Sequence, residues 1–188
     1  DNVSVNEVLE HIKALELPEW LEIQDYQVEA VVKCLRTRRR TLLSPTSSGK
    51  SLIIYLAVRQ LLTYKCKKGL IIVPTTSLVE QLYSDFADYS TKNGWSVQEN
   101  VHRIYQGKDK NTELPLTIST WQSLYTQPEE YFHQFDFIIG DEAHLFKAQS
   151  LVSIMSNCIN AKYRIGLTGT LDGTKTHKLV LEGLFGPV

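Results

Sequence analysis

Ser44-Pro45-Thr46-Ser47-Ser48-Gly49-Lys50-Ser51 lies between a short apolar run and a longer helical pattern. A lysine and a hydroxyl residue directly after a glycine, at a strand-to-helix junction, suit an anion. Backbone N–H groups of Thr46, Ser47, Ser48 and Gly49 would point at a phosphate, and the helix dipole would add favourable potential. Lys50 would place its charge on the β- and γ-phosphates of a nucleotide, and Ser51 would offer a hydroxyl to Mg2+. Gly49 lets the backbone approach closely. Ser44 stands where the full Gly-x-x-x-x-Gly-Lys-Ser pattern has glycine. The competing reading is a plain helix start.

A second group lies far downstream. Phe135-Asp136-Phe137-Ile138-Ile139-Gly140-Asp141-Glu142-Ala143-His144 reads as a buried strand ending in two adjacent carboxylates. Asp141 would hold Mg2+ through water, and Glu142 would orient and deprotonate an attacking water. His144 would hydrogen-bond across the site and couple it to a neighbouring domain. In an open parallel sheet, ligands bind beyond the C-terminal ends of the strands, so Asp141 is expected beside the phosphate loop. The alternative is an acidic turn leading into a capped helix. Two halves of one site that agree favour the chemical reading.

The elements that must position these groups follow from the apolar pattern. Residues 1–20 read as a helical extension, capped by Asn2 or Ser4, with Val5, Val8, Leu9, Ile12 and Leu15 at helical spacing. Pro18 interrupts it, and a second amphipathic helix is expected over Asp25–Arg36. From there to residue 188, short apolar runs alternate with helical patterns. Strands are expected at Thr41–Leu43, Leu70–Val73, His102–Tyr105, Leu116–Ile118, Phe137–Ile139 and Arg164–Leu167. Helices are expected from Lys50, over Ser77–Tyr89, at Trp121, over Gln149–Cys158 and over His177–Leu184. That alternation predicts an α/β domain with a mostly parallel central sheet and helices on both faces.

Composition narrows the classes. The chain has 188 residues, of which 43 % are apolar and 22 % charged, enough to bury a sizeable core. A formal charge of −1 excludes a polycationic tail, though not a local basic patch. No apolar run is long enough for a membrane span. Cys34, Cys66 and Cys158 give neither a disulfide framework nor metal-ligand spacing. The first residue is Asp1 and no leader pattern follows, so the chain reads as part of a longer cytosolic protein.

In their order, these segments resemble the superfamily 2 helicases and translocases. Asp25-Tyr26-Gln27 resembles the family's adenine-reading Gln motif, with Gln24 where relatives often have arginine. Pro45–Ser51 resembles motif I, although Ser47 replaces a common glycine. Pro74–Gln81 resembles motif Ia, and Ser119-Thr120-Trp121-Gln122-Ser123-Leu124 resembles motif Ib. Asp141-Glu142-Ala143-His144 matches motif II in its DEAH form, and Thr168-Gly169-Thr170-Leu171 resembles motif III. The details are most similar to phage recombination helicases.

The resemblance implies a RecA-like P-loop domain that uses ATP and Mg2+ to move on DNA, in phage or bacterial host cytosol. It implies branched, forked or single-stranded DNA as partner, and no membrane. It also implies a second RecA-like domain on the same parent chain, whose motifs do not occur in these residues. Gln27 would read adenine; Thr75, Thr76, Ser119, Thr120 and Trp121 would meet the DNA backbone or bases; Thr168 and Thr170 would link nucleotide state to domain closure.

Each of these residues has a plainer reading. Thr75, Thr76 and Thr120 also suit helix caps, Trp121 suits a buried anchor, Gln27 a surface helix position, and Thr168 and Thr170 a polar strand-end turn. Tyr26 would pack against nucleotide or core. Arg36-Thr37-Arg38-Arg39-Arg40 and Lys65-Cys66-Lys67-Lys68 lie at the opposite, N-terminal edge of the expected sheet, as helix-end charges or as a DNA or partner contact. Three rivals to a helicase motor remain: a restriction-type translocase subunit, a stand-alone P-loop phosphotransferase, and a nucleotide-gated binding module without turnover. Motifs Ia, Ib and III disfavour the phosphotransferase, and the set Lys50, Asp141 and Glu142 disfavours the inert module.

Overall fold

The computed structural model of the chain describes residues 3–37, 39–43, 47–104, 112–142, 148–168 and 185. The elements run α1 (Val5–Ala14), α2 (Asp25–Thr37), β1 (Arg39–Leu43), α3 (Ser47–Tyr64), β2 (Gly69–Val73), α4 (Thr76–Tyr89), α5 (Val97–Asn100), β3 (Val101–Ile104), β4 (Leu116–Thr120), α6 (Trp121–Tyr125), β5 (Phe137–Asp141), α7 (Ala148–Asn157) and β6 (Tyr163–Thr168). A 3-10 turn over Glu129–Gln134 precedes β5. The helix expected over His177–Leu184 lies outside the described residues.

Six strands form one sheet in the order β1-β6-β5-β2-β4-β3. Every pair is parallel, so all strands end on the same edge. The expected mostly parallel α/β sheet is the sheet observed. Sequence alternation sorts its two faces, because successive side chains of a strand point in opposite directions. Ile71, Val73, Ile118, Phe137, Ile139, Ile165 and Leu167 join one core, built with α1 to α4. Leu70, Ile72 and Ile138 join the other, with Leu124 of α6, Phe132 of the 3-10 turn, Leu151 and Met155 of α7, and Phe185. Burial on both faces explains why β2 reads as a continuous apolar run and β5 as one up to Gly140-Asp141. Gly69 is required by close packing: a Cβ there would fall 1.9 Å from the ring of Phe137, its partner across the β2–β5 ladder.

Outside the sheet, α1 packs on α2. Ser4 caps α1, its Oγ accepting from the backbone N–H of Glu7 at 3.1 Å. Val8 and Leu15 are buried, but Val5 and Leu9 are exposed, and His11 takes the inner position instead. The apolar stripe of α1 is therefore narrower than its sequence pattern suggests.

The two basic runs also differ from expectation. Arg39 and Arg40 are the first residues of β1, so the first run enters the strand instead of preceding it. Arg36 donates from Nε and a terminal nitrogen to the carbonyl of Val3, at 3.2 and 2.9 Å, and ties the start of the chain to α2. In the second run, Lys68 donates from Nζ to the carbonyl of Thr112 at 2.7 Å and to Gln134 Oε1 at 2.8 Å. The Asp136 carboxylate accepts from the backbone N–H groups of Lys67 and Lys68 at 2.8 and 3.1 Å, fastening the starts of β2 and β5 together. All three cysteines are buried. Burial pushes the Cys66 thiol up to about 11 and the Cys158 thiol up to about 12, which removes both as nucleophiles at neutral pH.

His11 gives stability a pH dependence. Its Nε2 is buried without a hydrogen-bond partner among the described residues. Burial first, and then the Arg59 charge, lower its pKa from 6.5 to about 4. The unfolded chain therefore binds more protons than the folded chain between those values, and stability falls as pH drops through that window. Chemical unfolding is expected to lose on the order of 2 kcal/mol between pH 6.5 and pH 4 through this group. His11→Leu should flatten that slope; equal slopes in the two chains would exclude His11 as its source.

Candidate nucleotide site

The register brings the strand ends into one row. Leu43 of β1 lies opposite Thr168 of β6, Leu167 opposite Asp141 of β5, and Val73 of β2 opposite Thr120 of β4. Helix α3 opens at Ser47, directly above this edge, so the phosphate-loop residues and the acidic pair meet although they are far apart in sequence.

Lys50 is the centre of the meeting. Its side chain is 6 % exposed, and Nζ lies 3.4 Å from Asp141 Oδ1 and in direct contact with Glu142 Oε1. Asp141 is also buried. One ammonium thus faces two carboxylates in a largely water-excluded place, where an uncompensated charge would cost several kcal/mol. Glu142 adopts a φ of 54°, the left-handed region that side-chain-bearing residues rarely enter. The turn that carries the acidic pair is therefore strained, a feature that clusters at functional sites.

Ser51 lies one turn into α3. Its Oγ is 2.7 Å from the phenol oxygen of Tyr89, the last residue of α4. Burial raises the Tyr89 pKa and the Ser51 bond partly offsets that rise. Gln27 is buried in α2 and its Nε2 donates to the carbonyl of Gly49 at 3.4 Å, while its Oε1 accepts from the backbone N–H of Gln24 at 2.8 Å. That puts the Gln27 amide against the opening of α3. Tyr26 beside it is exposed. Thr46, His144 and Thr170 lie outside the described residues, as do the side chains of Ser47 and Ser48.

The expected DNA-facing residues separate into three kinds. Thr75 caps α4, its Oγ1 accepting from Leu78 N–H at 3.2 Å. Thr120 caps α6, accepting from Ser123 N–H at 3.3 Å and donating to Ser123 Oγ at 2.9 Å. Thr76 is exposed at the first position of α4. Trp121 is half-buried and packs on the second core, the anchor arrangement. Ser119 departs from expectation: it is wholly buried in β4 and its Oγ donates to the carbonyl of Thr120 at 2.9 Å, so it has no surface to offer a DNA strand. Thr168 is fully buried at the end of β6.

Sequence reasoning missed Tyr89 altogether. Its only signal was a polar-tipped aromatic at an inward position of α4, which does not disclose a partner on another helix.

Comparisons with known proteins agree on the class of fold. Residues 20–173 match the family described as "Type III restriction enzyme, res subunit". The chain is 37 % identical over 171 residues to the ATP-dependent DNA helicase uvsW of Enterobacteria phage T4, covering 91 % of this chain and 33 % of that one. It is 28 % identical over 172 residues to the DNA 3'-5' translocase XPB2 of Sulfurisphaera tokodaii, covering 89 % and 35 %. The crystal structure of the UvsW helicase from bacteriophage T4 superposes with a TM-score of 0.88 at 36 % identity, over 100 % of this chain and 67 % of that one. The fold is thus that of a RecA-like helicase domain. The chain spans about a third of the length of the curated relatives it matches.

Lys50→Ala removes the cation that faces both carboxylates. Titration with a fluorescent ATP analogue is expected to show no measurable binding to this variant. Affinity equal to the unsubstituted chain would exclude Lys50 from the phosphate site.

Proposed function

Because the chain belongs to the type III restriction enzyme res-subunit family, we propose that it is the ATP-binding half of a superfamily 2 DNA motor. The observation that carries this reading is the buried meeting of Lys50 with Asp141 and Glu142 at the C-terminal edge of a parallel sheet. In this reading, Lys50 leaves the carboxylates for the β- and γ-phosphates of ATP. The opening N–H groups of α3 hold the same phosphates. Gln27, bonded to the start of α3, would read an adenine edge.

The residues present fit Mg2+. Asp141 offers a hard carboxylate and Ser51 a hydroxyl, and Mg2+ is commonly held by one or two such groups with phosphate and water completing its octahedron. Among the described residues, no three His, Cys, Asp or Glu side chains gather into an all-protein cage, so the site would depend on nucleotide phosphate. Held by Asp141 and Ser51, Mg2+ would neutralise developing charge on the phosphates. Glu142 would take the proton of the attacking water.

DNA would run over the row of strand ends beyond β2 and β4. Thr75 and Thr76, with Thr120 and Trp121, supply short polar groups and backbone amides that grip phosphates without reading sequence, as a translocating motor requires. Ser119 is not included. Thr168, at the end of the strand that pairs with the acidic strand, would relay nucleotide state to a second RecA-like domain, together with Thr170. The likeness to an ATP-dependent DNA helicase supports DNA as the partner, and the resemblance of the motif order extends the proposal to branched DNA in recombination, repair or replication, in the host cytosol. Among the described residues, no helix is long and apolar enough to cross a membrane.

A restriction-type translocase subunit is the second reading, favoured by the description of the matching family. A nuclease domain on the parent chain would select it.

In this reading an arginine finger, a group worth about 10³–10⁵ in turnover, comes from a second RecA-like domain. ATP turnover by this chain is expected to be negligible with or without forked DNA. A longer chain carrying the second domain should restore it. Fast, DNA-independent turnover by the chain alone would favour the self-contained phosphotransferase instead. In the longer chain, Glu142→Gln should keep ATP affinity within about twofold and reduce turnover by about 10²–10⁴, the usual worth of a general base. Persistent hydrolysis would remove Glu142 from that role.

A further inference from the structure

Tyr89 and Ser51 meet across the α3–α4 interface with their oxygens 2.7 Å apart. The ring of Tyr89 is held in place. It packs at 5.3 Å and 60° on the ring of Tyr55, one turn after Ser51 on α3. Tyr55 is itself fixed: its hydroxyl is 2.6 Å from Ser90 Oγ, receives Arg59 at 2.6 Å and receives Asn93 Nδ2 at 3.1 Å. Tyr89 is 6 % exposed. A part-buried polar bond with this much support is more than incidental contact between two helices.

A serine hydroxyl has one proton and two lone pairs. A lone pair given to a cation leaves the proton to be aimed elsewhere, and a phenol oxygen can accept it. Ligands of metal ions are commonly oriented by such a partner, and its loss typically costs about 10–100-fold in metal affinity. We infer that Tyr89 is a positioning residue for Mg2+–nucleotide binding: its phenol oxygen accepts the Ser51 proton and aims the Ser51 lone pair at the cation. The role rests on Ser51 as a cation ligand. It assigns part of the nucleotide site to α4, the helix that begins at Thr75 and Thr76, so one rigid element touches both proposed ligand surfaces.

Tyr89→Phe keeps the ring and removes only the oxygen. The probe is a fluorescent ADP analogue, titrated onto the whole chain in EDTA and across a Mg2+ series, with Ser51→Ala and the double variant alongside. Tyr89→Phe is expected to raise the Mg2+ concentration for half-maximal binding by about tenfold and to leave affinity in EDTA within about twofold. Ser51→Ala should raise it at least as much, and the double variant no further than Ser51→Ala. If Ser51→Ala shifts the Mg2+ requirement and Tyr89→Phe does not, the role of Tyr89 is overturned while the cation site stands. If Ser51→Ala does not shift it, the cation reading of Ser51 fails and takes this inference with it. Equal losses in EDTA and in Mg2+, with a lower melting temperature, would make Tyr89 a packing residue only.

Discussion

A buried lysine facing one buried and one half-buried carboxylate sets the terms for the rest of this molecule. A cation at the depth of Lys50 is costly without partners, and Asp141 and Glu142 supply them. The three charges come from two distant stretches of chain. They meet only if β1 delivers α3 to the same edge at which β5 ends. Parallel pairing with β6 set between β1 and β5 achieves this. The sheet order is thus the geometric condition for compensating the charges. The remaining net negative charge of the trio is what a cation–phosphate complex would meet.

The polar fastenings at the other edge of the sheet have a different job. Asp136 holds the starts of β2 and β5 through two backbone N–H groups, and Lys68 links the approach to β4 with the 3-10 turn. Those bonds fix strand stagger at the bottom, and so the alignment of strand ends at the top. A basic run that looks like a binding surface in the sequence is in part spent on holding register. Register matters here because a one-residue slip of β5 would exchange the two faces of the strand and carry Asp141 out of reach of Lys50.

Much of this arrangement was legible from residue types. Doubly buried strands declare themselves as apolar runs, and Leu70–Val73 and Phe137–Ile139 were read as strands for that reason. The end of β5 could be read because two carboxylates after such a run have no place in a core. Contacts between side chains on separate helices were not legible, because helical periodicity gives a face and no partner. Tyr89 is the clearest instance. Ser119 illustrates the opposite error: a small polar residue near a strand end suggests a loop contact, but β4 continues through Thr120 and buries it. His11 replaced Leu9 at the inner face of α1 because the helix turns its stripe toward Leu35, Gln60 and Tyr64, which no local pattern specifies.

The helix caps reconcile two readings of one residue type. Thr75 is a cap by geometry, and its hydroxyl is committed to Leu78 N–H. A cap of this kind satisfies the third N–H of the helix and leaves the first two, those of Thr76 and Ser77, without a partner inside the helix. Capping and phosphate contact are therefore complementary. The side chain fixes the turn, and the turn presents the amides. An amide pair reads charge and spacing but not base identity. A surface of that kind suits a protein that must release each phosphate for the next. The far end of the same helix abuts Ser51, so any shift of α4 made by gripping a phosphate is also a shift against the nucleotide site.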